Sequence, residues 1–377
     1  MVANNKVTPI NIMKNAAVLC VFILHTSIYS SQFGFTFNEH NWFLKTPAWS
    51  AVWIFFILSG NLIGKGFYTG KYKENGQYTL KSILKFYTNR FIKIGIPTWI
   101  VSIVSVLLLE PKYFFDNKGT ILHILTFTYK NVPASNMIGS TWYVSTLMWL
   151  YLCAPFLMLL LEKTFASVKN RNRCVLTLYI CVIISGMLIR LGLYKLGLDW
   201  SSNIYVPFYC NLDLYIGGML ANFIQLSSPK KTFMPTILII LIGIIIVNTR
   251  IYYESDFNAI CLVISQYIFP SIYICIIPIY ICQFTNNNLP EKAAHKGVLH
   301  NLLKFIEIFS NISFEFYLTH CIVLNEIAAY INPCTNVEFM HINLIIYAFL
   351  ITFTLSLLLH YCFYKMPITR QNDNTAY

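Results

Sequence analysis

The sequence predicts an all-α polytopic membrane protein with about ten transmembrane helices and both termini cytoplasmic. Three observations carry that prediction. The chain of 377 residues is 56% hydrophobic and only 11% charged, with a mean hydropathy of +0.58, whereas a water-soluble surface needs roughly 25% charged residues. Apolar runs recur along the chain at about 20 residues each, the length an α-helix needs to cross a hydrocarbon core. Lysine and arginine then alternate between rich and poor connecting segments, as the positive-inside rule requires.

The expected spans, in order, are 10–29, 47–64, 91–109, 141–161 and 174–194, then 204–226, 234–249, 258–283, 307–331 and 342–364. The first is long for the apolar region of a cleaved leader and lacks a small-residue cleavage site, so it reads as a retained helix. The sixth is interrupted by Asn211, Asp213, Gly217 and Gly218. Ile121–Tyr129 is too short to span and reads as an amphipathic or re-entrant piece. The longest connecting segments, 65–90 and 110–140, have about 30 residues each, too few for a separate domain. The expected organisation is one integral-membrane domain over 1–366 and a short polar cytoplasmic tail over 367–377. No internal repeat of the kind that marks many transporters is evident.

With the N-terminus inside and the ten spans alternating, the outer side holds seven of the 27 basic residues: Lys45, Lys112, Lys118, Lys130, Arg190, Lys195 and Arg250. The rest fall inside, most densely at Lys65, Lys71, Lys73, Lys81, Lys85, Arg90 and Lys93. A net charge of +12 could suggest nucleic acid. Its carriers sit between apolar blocks, however, so the partner they imply is the lipid bilayer and no nucleic acid is expected. Aromatic residues at 16% suit a chain with two membrane interfaces. The eleven cysteines lie mostly within apolar runs and form no C-x-x-C pair, which makes them expected packing residues.

Tempting motifs fail on inspection. Gly60 to Lys65 resembles a phosphate loop but is one residue short, is followed by Gly66 where Ser or Thr is needed, and ends a membrane helix. There is no H-E-x-x-H, G-x-S-x-G or EF-hand spacing. Ionisable residues inside spans are costly, and each is a candidate site. They are His25, Asp213, Glu315, His320 and His360; the plainer reading of each is a hydrogen bond to a neighbouring helix.

His25 stands apart. It follows Lys14 by 11 residues on one helix, which places it about 16 Å deeper than a lysine at the inner surface. A neutral imidazole at that depth can take a proton from a substrate hydroxyl. A second constellation is basic: Lys81, Lys85, Arg90 and Lys93, just before Pro97. Arg90 and Lys93 are three apart and, in an α-helix, share a face that could hold the phosphates of a cytoplasmic cosubstrate. On these residues alone, ordinary positive-inside charge is the favoured reading.

Five blocks in order carry a resemblance. Lys14 to His25 is a basic residue, an apolar run and a histidine; Phe55-Phe56-Ile57-Leu58-Ser59-Gly60 follows on the second span. Arg90-Phe-Ile-Lys93 leads to Ile96-Pro97, Trp142-Tyr143-Val144 leads to Tyr151 and Pro155, and Ile312-Ser313 leads to Tyr317-Leu318-Thr319-His320. This set resembles the integral-membrane acyltransferase-three family, which contains bacterial O-acetyltransferases of surface polysaccharides. Lys14 and Lys93 stand where the family usually has arginine. Ser145, Thr146 and Leu147 occupy a stretch where many members carry an acid.

The resemblance implies a multi-pass enzyme of the bacterial cytoplasmic membrane that moves an acyl group, most often acetyl, from acyl-CoA. The acceptor would be a sugar hydroxyl of a surface polysaccharide or lipid-linked glycan. It implies His25 as general base, or as a residue that carries the acyl group itself, with Lys14, Arg90 and Lys93 on the cosubstrate. Ser59, Trp142, Glu315 and His320 would line the site. No metal is implied, because the histidines lie on different helices without ligand spacing. Two other readings stand beside this one: a transporter or flippase whose polar residues line a path, and a non-catalytic membrane scaffold.

Overall fold

A computed structural model describes residues 8–32, 48–128, 141–224, 267–284, 298–330 and 337–365. Among them every regular element is helical, and the one β-type pairing is an isolated bridge between Glu74 and Gln77. That bridge closes a tight turn through Asn75 and Gly76, both with positive φ, the residue pair that a mirror-image turn favours.

The helices are α1 (Pro9–Gln32), α2 (Ala48–Tyr68), α3 (Leu80–Arg90), α4 (Ile96–Leu109), α5 (Pro111–Asp116) and α6 (Thr120–Thr126). They continue as α7 (Trp142–Ala166), α8 (Arg171–Lys195), α9 (Leu212–Leu220), α10 (Phe269–Phe284), α11 (Val298–Tyr330) and α12 (Val337–Lys365). Six described segments are long and apolar enough to cross a membrane: Ile10–Tyr29, Ser50–Tyr68, Leu80–Leu109, Trp142–Ala166, Arg171–Lys195 and Ile342–Phe363. Their exposure fits a lipid solvent. Leu176, Ile180, Ile184 and Leu188 form an apolar row at i, i+4 spacing along α8 and are between 49% and 63% exposed, a surface that water would penalise and acyl chains do not. The span of α2, by contrast, is 78% buried.

Three expectations meet the structure differently. The expected span 204–226 is not one helix: a π turn (Trp200–Tyr205), an extended Pro207, a 3-10 turn (Phe208–Cys210), α9 and a second 3-10 turn (Ala221–Phe223) replace it. Pro207 has no N–H for the helical ladder, and the buried Asp213 is held by an arginine that fixes the chain locally. The expected span 91–109 begins earlier, at Leu80, and passes through a π segment at Phe91–Gly95. Of the segment Ile121–Tyr129, residues 121–126 belong to α6, which Phe127 caps in the left-handed region with φ 53°, and Tyr129 lies outside the described residues. The expected span 234–249 and the first part of 258–283 lie outside the described residues.

The chain divides into two compact units. The first is Met1–Leu19, Pro47–Thr79 and Cys153–Asn311. Here α2 packs backbone to backbone against α9: a Cβ on Gly60 would collide with the Tyr215 carbonyl, and one on Gly218 with the Ile57 carbonyl. Glycine is required at both places by this close approach. Arg190 on α8 grips the Asp213 carboxylate through two bonds of 2.8 and 2.6 Å, with both side chains 4% exposed. Beyond the end of α2, Lys73 reaches Glu162 at 2.7 Å, and the Arg171 guanidinium sits among Tyr68, Phe165 and Phe223.

The second unit is Cys20–Thr46, Leu80–Leu152 and Ile312–Tyr377. Val106, Ile124 and Phe127 form a buried core wrapped by Phe91, Trp99, Tyr113, Met148 and Ile322. The Phe127 carbonyl, freed by the left-handed turn, accepts from Ser145 Oγ and from Trp149 Nε1. A second apolar group joins α1, α11 and α12, where Phe22, Phe316 and Phe349 meet at centroid separations of 5.4 to 6.0 Å. This group carries the residues described next.

Candidate active site

Within the second unit, α1 presents His25 and α11 presents His320 to one point. The His25 Nδ1 and His320 Nε2 atoms are 2.7 Å apart. The ring planes differ by 9° while the centroids are 5.0 Å apart, so the two imidazoles meet edge to edge and not face to face. Helical periodicity makes this possible on each side. Phe22 and His25 are three apart on α1, and Phe316 and His320 are four apart on α11, so one face of each helix offers both a ring for packing and an imidazole. Phe22 packs edge-on against both Phe316 and His320.

The hydrogen-bond chain fixes the tautomers. His320 Nδ1 lies 2.7 Å from the Tyr317 carbonyl. A carbonyl only accepts, so Nδ1 of His320 carries the hydrogen and its Nε2 offers a lone pair. That lone pair accepts from His25 Nδ1–H, which leaves the lone pair of His25 on Nε2. His25 is thereby set as a base, with its reactive nitrogen opposite the bond that orients it. His320 is 1% exposed and His25 is half-buried.

Cys321 adjoins this pair. Its Sγ is 3.2 Å from His25 Nδ1 and 3.2 Å from His320 Nε2, and it is 1% exposed. Tyr29, one turn beyond His25, lies near the same sulfur. The three donor atoms converge within 4.8 Å of one another, close enough to share a metal ion. Sequence spacing could not reveal this grouping, because 295 residues separate the two histidines.

The other expected residues are distributed as follows. Glu315 accepts from His360 Nδ1 at 3.0 Å and has its second oxygen buried without a partner among the described residues. Five positions from His320 on α11, it points to a different face of the helix. Trp142 opens α7 and packs edge-on with Tyr143, and it is Tyr143 that reaches Tyr317, at a centroid distance of 5.4 Å. Arg90 is half-buried with its guanidinium over the Phe86 ring, whereas Lys93 is exposed. Lys93 lies within a π segment, Phe91–Gly95, that starts just after Arg90 and widens the turn. Lys14 and Ser59 belong to the first unit. There Lys14 Nζ donates to the Ser310 carbonyl at 2.8 Å and neighbouring Asn15 to the Ile306 carbonyl at 2.7 Å. Ser59 is half-buried on α2, beside the glycine that admits α9. Asp213, read from sequence as a costly intramembrane acid, has the arginine partner described above.

A model of the acyltransferase domain matches residues 8–364. Comparison with curated proteins and with solved structures finds no match. The motif blocks, the helical architecture and a domain match over nearly the whole length agree: this chain belongs to the acyltransferase-3 family and is a membrane acyltransferase.

Proposed function

We propose that the protein transfers an acetyl group from cytoplasmic acetyl-CoA to a sugar hydroxyl of a surface polysaccharide or lipid-linked glycan. It would act as a multi-pass protein of the bacterial cytoplasmic membrane, with both termini inside. The observation that carries this reading is the chain Tyr317 carbonyl, His320, His25, which leaves the His25 Nε2 lone pair as a base in a chain of acyltransferase type.

In the proposed reaction the sugar hydroxyl oxygen attacks the thioester carbonyl while His25 Nε2 takes its proton. The tetrahedral intermediate collapses, the carbon–sulfur bond breaks, and the departing thiolate receives a proton from the His25 imidazolium. The products are the acetyl ester and free CoA, and His25 returns to its starting tautomer. Throughout, His25 Nδ1–H keeps its bond to His320, so the imidazolium forms against an acceptor already in place and needs little reorganisation. Arg90 and Lys93 would hold the donor's phosphates. Lys14, engaged with the Ser310 carbonyl, would act by fixing α1 against α11 in the first unit. Trp142 and Glu315 would shape the surroundings without touching the reacting atoms, and Ser59 would act within the first unit.

The test is transfer of radiolabel from acetyl-CoA to a glycan extract by the purified protein in liposomes. Acid- or base-labile label on glycan, recovered as acetate, supports the reading. Movement of unmodified glycan across the bilayer without label would replace it with transport.

A further inference from the structure

We infer that His25 Nδ1, His320 Nε2 and Cys321 Sγ form a binding site for a single thiophilic divalent cation, Zn²⁺ being the natural probe, and that its occupancy switches the base off. The site itself stands on geometry alone; the switching consequence rests on the proposed role of His25.

Three ligand atoms from two helices surround one point, at separations of 2.7, 3.2 and 3.2 Å. Around a tetrahedral zinc, with bonds of about 2.0–2.1 Å to nitrogen and about 2.3 Å to sulfur, such atoms lie roughly 3.3–3.6 Å apart. The cluster therefore needs to open by about half an ångström per pair, within reach of small side-chain rotations. Two imidazoles and a thiolate are the donor set that soft and borderline ions such as zinc prefer over magnesium or calcium. A supporting contact is also in place. The second ring nitrogen of His320 is bonded to the Tyr317 carbonyl, the orientation device that metal-binding histidines use. Three protein ligands leave the fourth position of a tetrahedral ion to water.

Binding has a definite proton balance. Cys321 loses its thiol proton to become a ligand, and the His25 hydrogen moves from Nδ1 to Nε2. One proton is released to solvent for each ion bound. His25 then presents an N–H where the base needs a lone pair. A metal at this point thus stops proton abstraction without touching the substrate.

The experiment uses the full chain in detergent micelles, cleared of metal with a chelator, against Zn²⁺ and Co²⁺, with Cys321→Ser in parallel. The expected result for the wild type is one high-affinity ion per chain, one proton released, and a thiolate-to-cobalt absorption band in the near ultraviolet. In Cys321→Ser the band is lost and affinity falls by at least about 100-fold, more than the loss of a mere supporting contact gives. Metal-free thermal unfolding of both proteins shows whether the variant is folded. A wild type without the band, or equal affinity in both proteins, overturns the site.

The switch is read as each protein's transfer rate with zinc divided by its own rate with chelator. Wild type is expected to fall at least tenfold at saturation, and the variant to need about 100-fold more zinc for the same loss. Equal inhibition of both, or activation of the wild type, overturns the switch. If neither protein transfers label under any condition, the transferase reading fails while the metal titration still decides the site.

Discussion

Replacing His320 with phenylalanine tests whether this residue holds the base in its working tautomer. Phenylalanine keeps the ring and can pack with Phe22 and Phe316, which already contact this position. It removes both the acceptor 2.7 Å from His25 Nδ1 and the donor to the Tyr317 carbonyl. In the Nδ1–H tautomer His25 then carries a buried donor without its partner, at a cost of about 1–3 kcal/mol. The imidazole can escape that cost by moving its hydrogen to Nε2, which removes the base. At about 1.4 kcal/mol per tenfold, the fraction of competent tautomer falls roughly 5- to 150-fold, and kcat with it. Glutamine at the same position can place its amide oxygen near the lost Nε2, so it is expected to recover the rate to within about tenfold of wild type. The assay is initial-rate transfer of radiolabelled acetyl from acetyl-CoA in liposomes, with thermal unfolding as the control. A folded phenylalanine variant as fast as wild type would refute the argument, as would a glutamine variant no better than phenylalanine.

Other predictions concern the frame. Arg190→Met leaves the Asp213 carboxylate buried without its counter-ion and is expected to cost about 3–5 kcal/mol, read as a lower unfolding temperature; pairing it with Asp213→Leu should restore much of the loss. Gly60→Ala pushes α2 away from the Tyr215 carbonyl, and overpacking of this kind costs about 1–3 kcal/mol, measurable by the same unfolding assay. At Tyr78, burial and the nearby Glu162 carboxylate push the phenol well above its ordinary value of 10. Folding therefore favours the protonated phenol: its contribution is complete below about pH 10 and is lost as pH rises beyond that. Tyr78→Phe should flatten the alkaline fall in stability, and an unchanged fall would count against the assignment.

Much of this was legible in the sequence, for physical reasons that differ by region. Low charge and apolar run length mark a membrane protein before any contact is known, and α1, α2, α7, α8 and α12 follow the expected spans closely. The 204–226 region misled because hydropathy counts apolar letters and is blind to Pro207, which forbids a continuous ladder, and to Arg190, which neutralises Asp213. The π segment after Arg90 was equally invisible, since spacing arguments assume α-helical turns. His25 and His320 could each be singled out as intramembrane histidines, yet nothing in the sequence joins them. Their contact arises from α1 and α11 packing through Phe22 and Phe316. Cys321 reads as one more packing residue for a related reason: among eleven cysteines, most of them in apolar runs, only three-dimensional proximity distinguishes the one beside two imidazoles.

The most direct test of the central claim compares the wild type with His25→Ala in liposomes supplied with radiolabelled acetyl-CoA and host glycan. Loss of a positioned base should lower transfer about 10²- to 10⁴-fold while the variant unfolds at a temperature near that of wild type and still retains labelled acetyl-CoA. A folded His25→Ala variant that acetylates glycan at the wild-type rate would contradict the account.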